Sequence, residues 1–310
     1  MTGKRVAAVD CGTNSIRLLI ADVAADGSET EIERRMRIVR LGQGVDATGR
    51  LSGEALARTF AACDEYAELV TEFGATELRF VATSATRDAS NREEFADGVR
   101  ARLGVEPEVV SGDEEAGLSF RGATRAVAAD TPAHPTPYLV VDIGGGSTEF
   151  VLGSGSVSAA RSVDVGCVRM TERHFREDPP TPAEIHAAQR DIDAAIDLAA
   201  QSVDLGQAKT LVGVAGSVTT IAALALGLET YERPRIHLSR IPAEAVRGIA
   251  ADLLGMTHDE RAAHAVIHPG RVDVIGAGAL ILLRIMDRLG LPDLIVSEHD
   301  ILDGMALSMA

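Results

Sequence analysis

Two apolar runs flanking the turn Cys11-Gly12-Thr13-Asn14-Ser15 fill Arg5 to Val23, and this pattern predicts a strand hairpin. Glu31 to Leu41 reads as a third strand, with Arg34, Arg35, Arg37 and Arg40 crowded into it. A helix is expected from about Ser52, a suitable N-cap, to Phe73, where Gly74 stops it. Next come a strand over Glu77 to Thr83, a helix capped by Ser90 or Asn91 and ending at Gly104, and a strand at Glu108 to Val110. A further helix opens at Asp113 and runs to about Val127. Three strands followed by alternating helices and strands predict an α/β layered fold.

Prolines punctuate the second half. Pro132, Pro135 and Pro137 mark Asp130 to Pro137 as a linker, because helices do not cross such a run. The break Pro179-Pro180-Thr181-Pro182 precedes a helix from Ala183 to Ser202. A strand at Thr210 to Val214, a Gly turn and a helix from Ser217 follow. The tail reads as a helix from Arg271 to Leu289, a strand at Leu294 to Ser297 and a short last helix.

An internal repeat organises these elements. Tyr138 to Leu152 is again strand, Gly-rich turn and strand. Val141-Asp142-x-Gly144-x-x-Ser147 matches Val9-Asp10-x-Gly12-x-x-Ser15 in register. A duplicated unit in two halves of one chain implies two similar α/β domains. We place them at 1–130 and 131–310, with the final helix packing back on the first.

The repeated turns carry candidate chemistry. Gly12 and Gly144-Gly145-Gly146 let the backbone turn so that several N–H groups point at one anion. Thr13, Ser15 and Ser147 can add hydroxyl donors, while Asp10 and Asp142 are acceptors suited to Mg²⁺ or its waters. Glu149 shares a strand face with Ser147 and is a further metal or water ligand. Gly213 to Thr220 is a third Gly turn, leading from strand to helix. It fits an anion site at Gly216 and Ser217 or a plain capped helix equally well. In Ser111-Gly112-Asp113-Glu114-Glu115-Ala116 three acids open a helix, either as dipole complements or with one as a general base. Spacing does not choose among them. Arg87 ends a strand at the edge where α/β sheets bind ligands, as a phosphate fork or a surface ion-pair residue.

Composition narrows the classes. The 310 residues carry a net charge of −16 and no Trp, with 3% aromatics. That argues against a DNA-binding face and against stacking platforms for single strands. No signal sequence or apolar span of about 18 residues is present, and three scattered cysteines give neither a disulfide framework nor metal spacing. A reducing cytoplasm is the expected setting. His258-Asp259 and His299-Asp300 lack the companions of a metal site and read as surface or capping pairs.

Taken together, five segments resemble the exopolyphosphatase / guanosine pentaphosphate phosphohydrolase family of the actin-like, sugar-kinase and Hsp70 ATPase-fold superfamily. They are Ala8 to Ser15, Val81 to Arg87, Ser111 to Ala116, Asp142 to Glu149 and Gly213 to Ser217. The resemblance implies two facing actin-like, ribonuclease H-like domains with an active-site cleft between them. It implies hydrolysis of the terminal phosphoanhydride of polyphosphate, or of the 5′-γ-phosphate of guanosine pentaphosphate. On that resemblance Glu115 is the catalytic base and Asp142 and Glu149 hold Mg²⁺, or Mn²⁺ in its place, and the repeated turn adds Asp10 as a further candidate ligand. Gly12, Thr13, Asn14, Ser15, Arg87, Gly144, Gly145, Gly146, Ser147, Gly216 and Ser217 form the phosphate-binding set. A homodimer is also implied.

Longer family members carry an extra helical C-terminal region that helps hold long polyphosphate chains. This sequence stops at Ala310, so shorter chains or guanosine pentaphosphate are the expected substrates. Two rivals remain: a phosphotransferase of the same fold, and a non-catalytic sensor of guanosine tetra- or pentaphosphate. The charge is uneven, +1 before Leu51 and −17 after it. Backbone amides, a few arginines and Mg²⁺ can hold a polyanion on such a chain, so binding is expected to depend on the metal.

Overall fold

The computed structural model describes residues 3–24, 26–129 and 133–309. Asp130, Thr131 and Pro132 of the expected linker lie outside them. The chain divides into two compact units, Met1–Gly122 with Ile301–Ala310, and Ala123–Asp300.

The first unit is built on β1 (Lys4–Cys11), β2 (Ser15–Val23), β3 (Glu29–Ile38), β4 (Glu77–Ala82) and β5 (Glu108–Val109), ordered β3-β2-β1-β4-β5. The first three strands form an antiparallel meander, and β4 and β5 run parallel to β1. Helices α1 (Val45–Thr48), α2 (Gly53–Glu72), α3 (Ser84–Asp88), α4 (Arg92–Leu103) and α5 (Gly112–Ala128) follow the strands, and the division between units falls inside α5. Ser52 caps α2, accepting from the Ala55 amide at 3.2 Å. Gly104 ends α4 in the left-handed conformation that favours glycine. One face of the sheet buries Leu18, Ile20, Tyr66, Phe80 and Phe95. On a second cluster, Val6, Ala8, Leu19 and Ala21 pack with Leu302, Met305 and Ala306 of the C-terminal helix, Ile301–Ser308. That helix approaches α5 closely: a Cβ on Gly304 would overlap the Leu118 carbonyl.

The second unit contains β6 (Tyr138–Ile143), β7 (Thr148–Gly153), β8 (Val157–Val163), β9 (Thr210–Val214), β10 (Arg240–Pro242) and β11 (Asp293–Val296), ordered β10-β11-β9-β6-β7-β8. Read from β8, the first five strands repeat the connectivity of the first sheet. This is the ribonuclease H-like arrangement, present twice. Its helices are α6 (Cys167–His174), α7 (Pro182–Ala200), α8 (Ala215–Ala225), α9 (Arg233–Ile236), α10 (Ala243–Gly255), α11 (His258–Ala262) and α12 (Ile275–Leu289). A capping box between Thr181 and Glu184, with Pro182 at the first helical position, starts α7. The apolar residues of α12, among them Leu280, Ile281, Leu282 and Ile285, sit in the unit's core.

Several elements differ from expectation. Thr83 to Arg87 leaves the strand and turns into α3, while β8, α6 and the helices between 233 and 262 were not anticipated. The helix expected from Arg271 begins at Ile275, after a 3₁₀ turn at Pro269–Arg271. Of the two readings of His299-Asp300 the surface one fails, since Asp300 is buried and His299 lies against His237 with ring centroids 4.5 Å apart, while Asp300 directly precedes the helix Ile301–Ser308, the place of a capping residue. Among the described residues no helix is long and apolar enough to cross a membrane.

Buried Thr86 on α3 has a hydroxyl without a hydrogen-bond partner. Thr86→Val should therefore raise unfolding stability by about 1 kcal/mol, because an unsatisfied buried hydroxyl is replaced by a methyl group. Urea denaturation checks this, and a lower midpoint would count against it.

Candidate functional site

In the first unit the turn between β1 and β2 is fixed by the Gly12 amide donating to the Ser15 carbonyl at 2.9 Å. Its carbonyls face the protein. Gly42 donates to Thr13, Val39 and Arg40 both donate to Asn14, and Thr83 donates to Cys11. Gly42 is required for this approach, since a Cβ there would overlap the Thr13 side chain. Thr13 Oγ1 and Ser84 Oγ are 2.9 Å apart, both buried, so the hydroxyls of the two adjacent strand ends are tied together. Because β1 and β4 are parallel neighbours, their carboxyl ends bring residues 10–15 and 83–87 to one sheet edge.

Arg87 and Glu115 meet at this edge. Arg87 Nη1 donates to the Val110 carbonyl at 2.9 Å and to Glu115 Oε2 at 3.2 Å. Glu115 is 8% exposed, whereas Asp113 and Glu114 are exposed and Glu114 pairs with Arg79 at 3.1 Å. Of the three acids opening α5, only Glu115 is drawn inward beside a cation. Spacing could not give this distinction, because the first helical turn points its residues in different directions.

The second unit repeats the hairpin. The Gly144 amide donates to the Ser147 carbonyl at 3.0 Å. Here α6 takes the carbonyls: Cys167 donates to Gly144, Val168 and Arg169 donate to Gly145, and Arg169 Nε donates to Gly146 at 2.7 Å. With these oxygens turned toward α6, the amides of Gly145, Gly146 and Ser147 donate to no acceptor among the described residues. Such consecutive unmatched amides form an anion cradle. Gly166 permits the close approach, since a Cβ there would overlap the backbone of Gly145 and Gly146.

The third Gly turn lies beside this cradle, because β9 is the parallel neighbour of β6. Ala215 has φ 69°, a left-handed conformation strained for a residue with a Cβ, at the junction of β9 and α8. Gly216 lies under the Arg271 guanidinium, and a Cβ there would overlap it. His268 Nδ1 accepts from the Gly270 amide at 3.0 Å and so braces the turn that carries Arg271. Burial, and then Arg271, lower the His268 pKa and favour the neutral ring this bond needs. Arg271 was not legible in sequence, since it reaches Gly216 only through the packing of a distant turn.

The two hairpins differ at one paired position. Asp10 faces Arg17 across β1 and β2, and Arg17 Nη2 donates to Asp10 Oδ2 at 2.6 Å. Asp142 faces Glu149 across β6 and β7. The first hairpin therefore carries a balanced ion pair, the second two acids in register, 8% and 1% exposed. An all-oxygen pair of facing carboxylates fits Mg²⁺, which takes one or two carboxylates and keeps several waters. Asp10 is engaged by Arg17, whose Nε also donates to Asp10 Oδ2 at 3.0 Å. Among the described residues no group of three or more His, Cys, Asp or Glu side chains is placed to hold a metal. Burial raises the pKa of Cys11 and of Cys167, so both thiols next to the hairpins stay uncharged at neutral pH.

The profile of the Ppx/GppA phosphatase family matches residues 19–310. Exopolyphosphatase 2 of Mycobacterium tuberculosis is 51% identical over 99% of this chain and 98% of its own. A guanosine-5′-triphosphate,3′-diphosphate pyrophosphatase of Photobacterium profundum is 29% identical over 98% of this chain, which spans 59% of that protein. The crystal structure of the Aquifex aeolicus Ppx/GppA family member superposes with a TM-score of 0.79, at 31% identity over 99% of this chain and 97% of its own. The chain, with its duplicated sheet and hairpins, belongs to the Ppx/GppA phosphatase family.

Proposed function

We propose that the protein is a phosphoanhydride hydrolase that releases the terminal phosphate of inorganic polyphosphate, with a preference for shorter chains. The observation that carries this reading is the cradle at Gly145, Gly146 and Ser147: α6 takes the carbonyls of Gly145 and Gly146, the Gly144 amide takes that of Ser147, and the three amides stay available to phosphate oxygens. In the proposed chemistry these amides orient the phosphoryl group, and Arg87 keeps the phosphate-binding role that the family resemblance implies. Glu115 accepts the proton of the attacking water as the water oxygen bonds to phosphorus and the bridging oxygen departs with the shortened chain. Asp142 and Glu149 would hold Mg²⁺, which supplies charge stabilisation for the phosphate oxygens. Asp10, whose charge Arg17 meets, is left out of this ligand set. The 51% identical exopolyphosphatase supports the substrate class. The 29% identical pyrophosphatase favours a second reading, hydrolysis of the 5′-γ-phosphate of guanosine pentaphosphate.

Four basic residues of the N-terminal segment are partly neutralised by neighbouring acids. Arg34 pairs with Asp303, Arg35 with Glu33, Arg37 with Glu65 and Arg5 with Asp22. Phosphate release measured on polyphosphates of graded length and on guanosine pentaphosphate, with and without Mg²⁺, tests the proposal. Metal-dependent release that falls off on very long chains is expected. Equal rates on medium and very long chains would remove the length preference, and release only from guanosine pentaphosphate would select the second reading. ATP made from ADP and polyphosphate would indicate a phosphotransferase instead. The resemblance further implies a homodimer, which sedimentation of the purified protein checks.

A further inference from the structure

β8 is an edge strand antiparallel to β7, and it sets Ser162 directly opposite Glu149. Ser162 Oγ donates to Glu149 Oε1 at 2.7 Å. Serine has little intrinsic preference for a strand, so this position is explained better by its hydroxyl than by the fold. The duplicated unit supplies an internal comparison. There the residue facing the corresponding position, Arg17, is Met36, which has no hydrogen to donate. Across three strands the two hairpins thus read Asp10–Arg17–Met36 and Asp142–Glu149–Ser162. Where the middle side chain is a cation its outer neighbour is apolar, and where it is a buried carboxylate its outer neighbour is a hydroxyl donor.

We propose that Ser162 is a positioning residue for a divalent cation held by Glu149. Its hydroxyl fixes the orientation of the carboxylate that faces the cation. This inference rests on the proposed role of Asp142 and Glu149. Ser162 touches neither substrate nor phosphate in this scheme and acts only through Glu149.

The test is direct metal binding to the full-length protein without substrate, by calorimetry with Mg²⁺ and by electron paramagnetic resonance with Mn²⁺. Ser162→Ala should weaken the metal Kd by about 10- to 100-fold, the usual range for losing a hydrogen bond behind a metal ligand. Ser162→Thr keeps the hydroxyl, suits a strand, and should bind metal within a few-fold of the parent. The metal-free melting temperature of Ser162→Ala should stay near that of the parent, which a merely structural role would not allow. Glu149→Gln run in parallel separates the two failures. If it loses metal while Ser162→Ala binds normally, the role of Ser162 is wrong and the ligand assignment stands. Should Glu149→Gln bind as the parent does, or the parent bind no metal, the ligand assignment fails and Ser162 with it.

Discussion

Glu115→Gln should lower kcat for phosphate release by about 10²- to 10⁴-fold, the range typical of a lost general base. Gln has nearly the same shape and keeps a carbonyl oxygen for the bond that Arg87 Nη1 now makes to Glu115 Oε2. The Arg87 bond to the Val110 carbonyl does not involve residue 115 at all. Substrate affinity, read by calorimetry on the inactive variant, should therefore change little. Asp113→Asn and Glu114→Gln serve as controls from the same helical turn. Both acids are exposed and should leave kcat within about twofold, since surface substitutions perturb little. Near-normal turnover of Glu115→Gln would end the proposed mechanism, and equal losses in all three variants would point to the helix dipole instead.

A second large effect is expected at a residue with no side chain. Gly166→Ala places a methyl group into the backbone of Gly145 and Gly146, where no flexible side chain can yield. Either α6 backs away from the cradle or the cradle moves. Both routes loosen the amide bonds from Cys167, Val168 and Arg169 to the carbonyls of Gly144 and Gly145. Overpacking of this kind costs about 1–3 kcal/mol, measurable by urea denaturation. A cradle displaced by even about 1 Å should cost on the order of 100-fold in kcat/KM, because positioning carries much of phosphoryl transfer. Unchanged stability together with unchanged kinetics would show that α6 does not set the cradle. Gly155→Ala, at a position open to solvent, is the matched control.

Much of the scaffold was readable because its signals are local. Ser52 and Thr181 cap helices where their hydroxyls meet the following amides, and Gly104 ends a helix because it tolerates positive φ. The Asp-x-Gly-x-x-Ser repeat announced two hairpins, and each closes with the same Gly-to-Ser backbone bond. Less local elements escaped. Ser158 to Arg161 on β8 mixes small and charged residues, as an edge strand can, and gives no clean alternation. The short α6 is capped by carbonyls of the Gly hairpin rather than by its own preceding side chain, so nothing in its sequence marks a start. The burial of Asp300 in the His299-Asp300 pair was not readable, because composition carries no information about burial.

The sequence by itself determined the duplicated α/β plan, the two Gly turns and the acids available for chemistry, because turn conformation and strand pattern depend on residues close together in the chain. Only the tertiary structure decided what each acid faces. It paired Asp10 with Arg17 but Asp142 with Glu149, drew Glu115 rather than Asp113 or Glu114 beside Arg87, and set Ser162 behind Glu149. Those outcomes depend on strand register and on helix direction. A shift of one residue in either would turn every one of these side chains to another face.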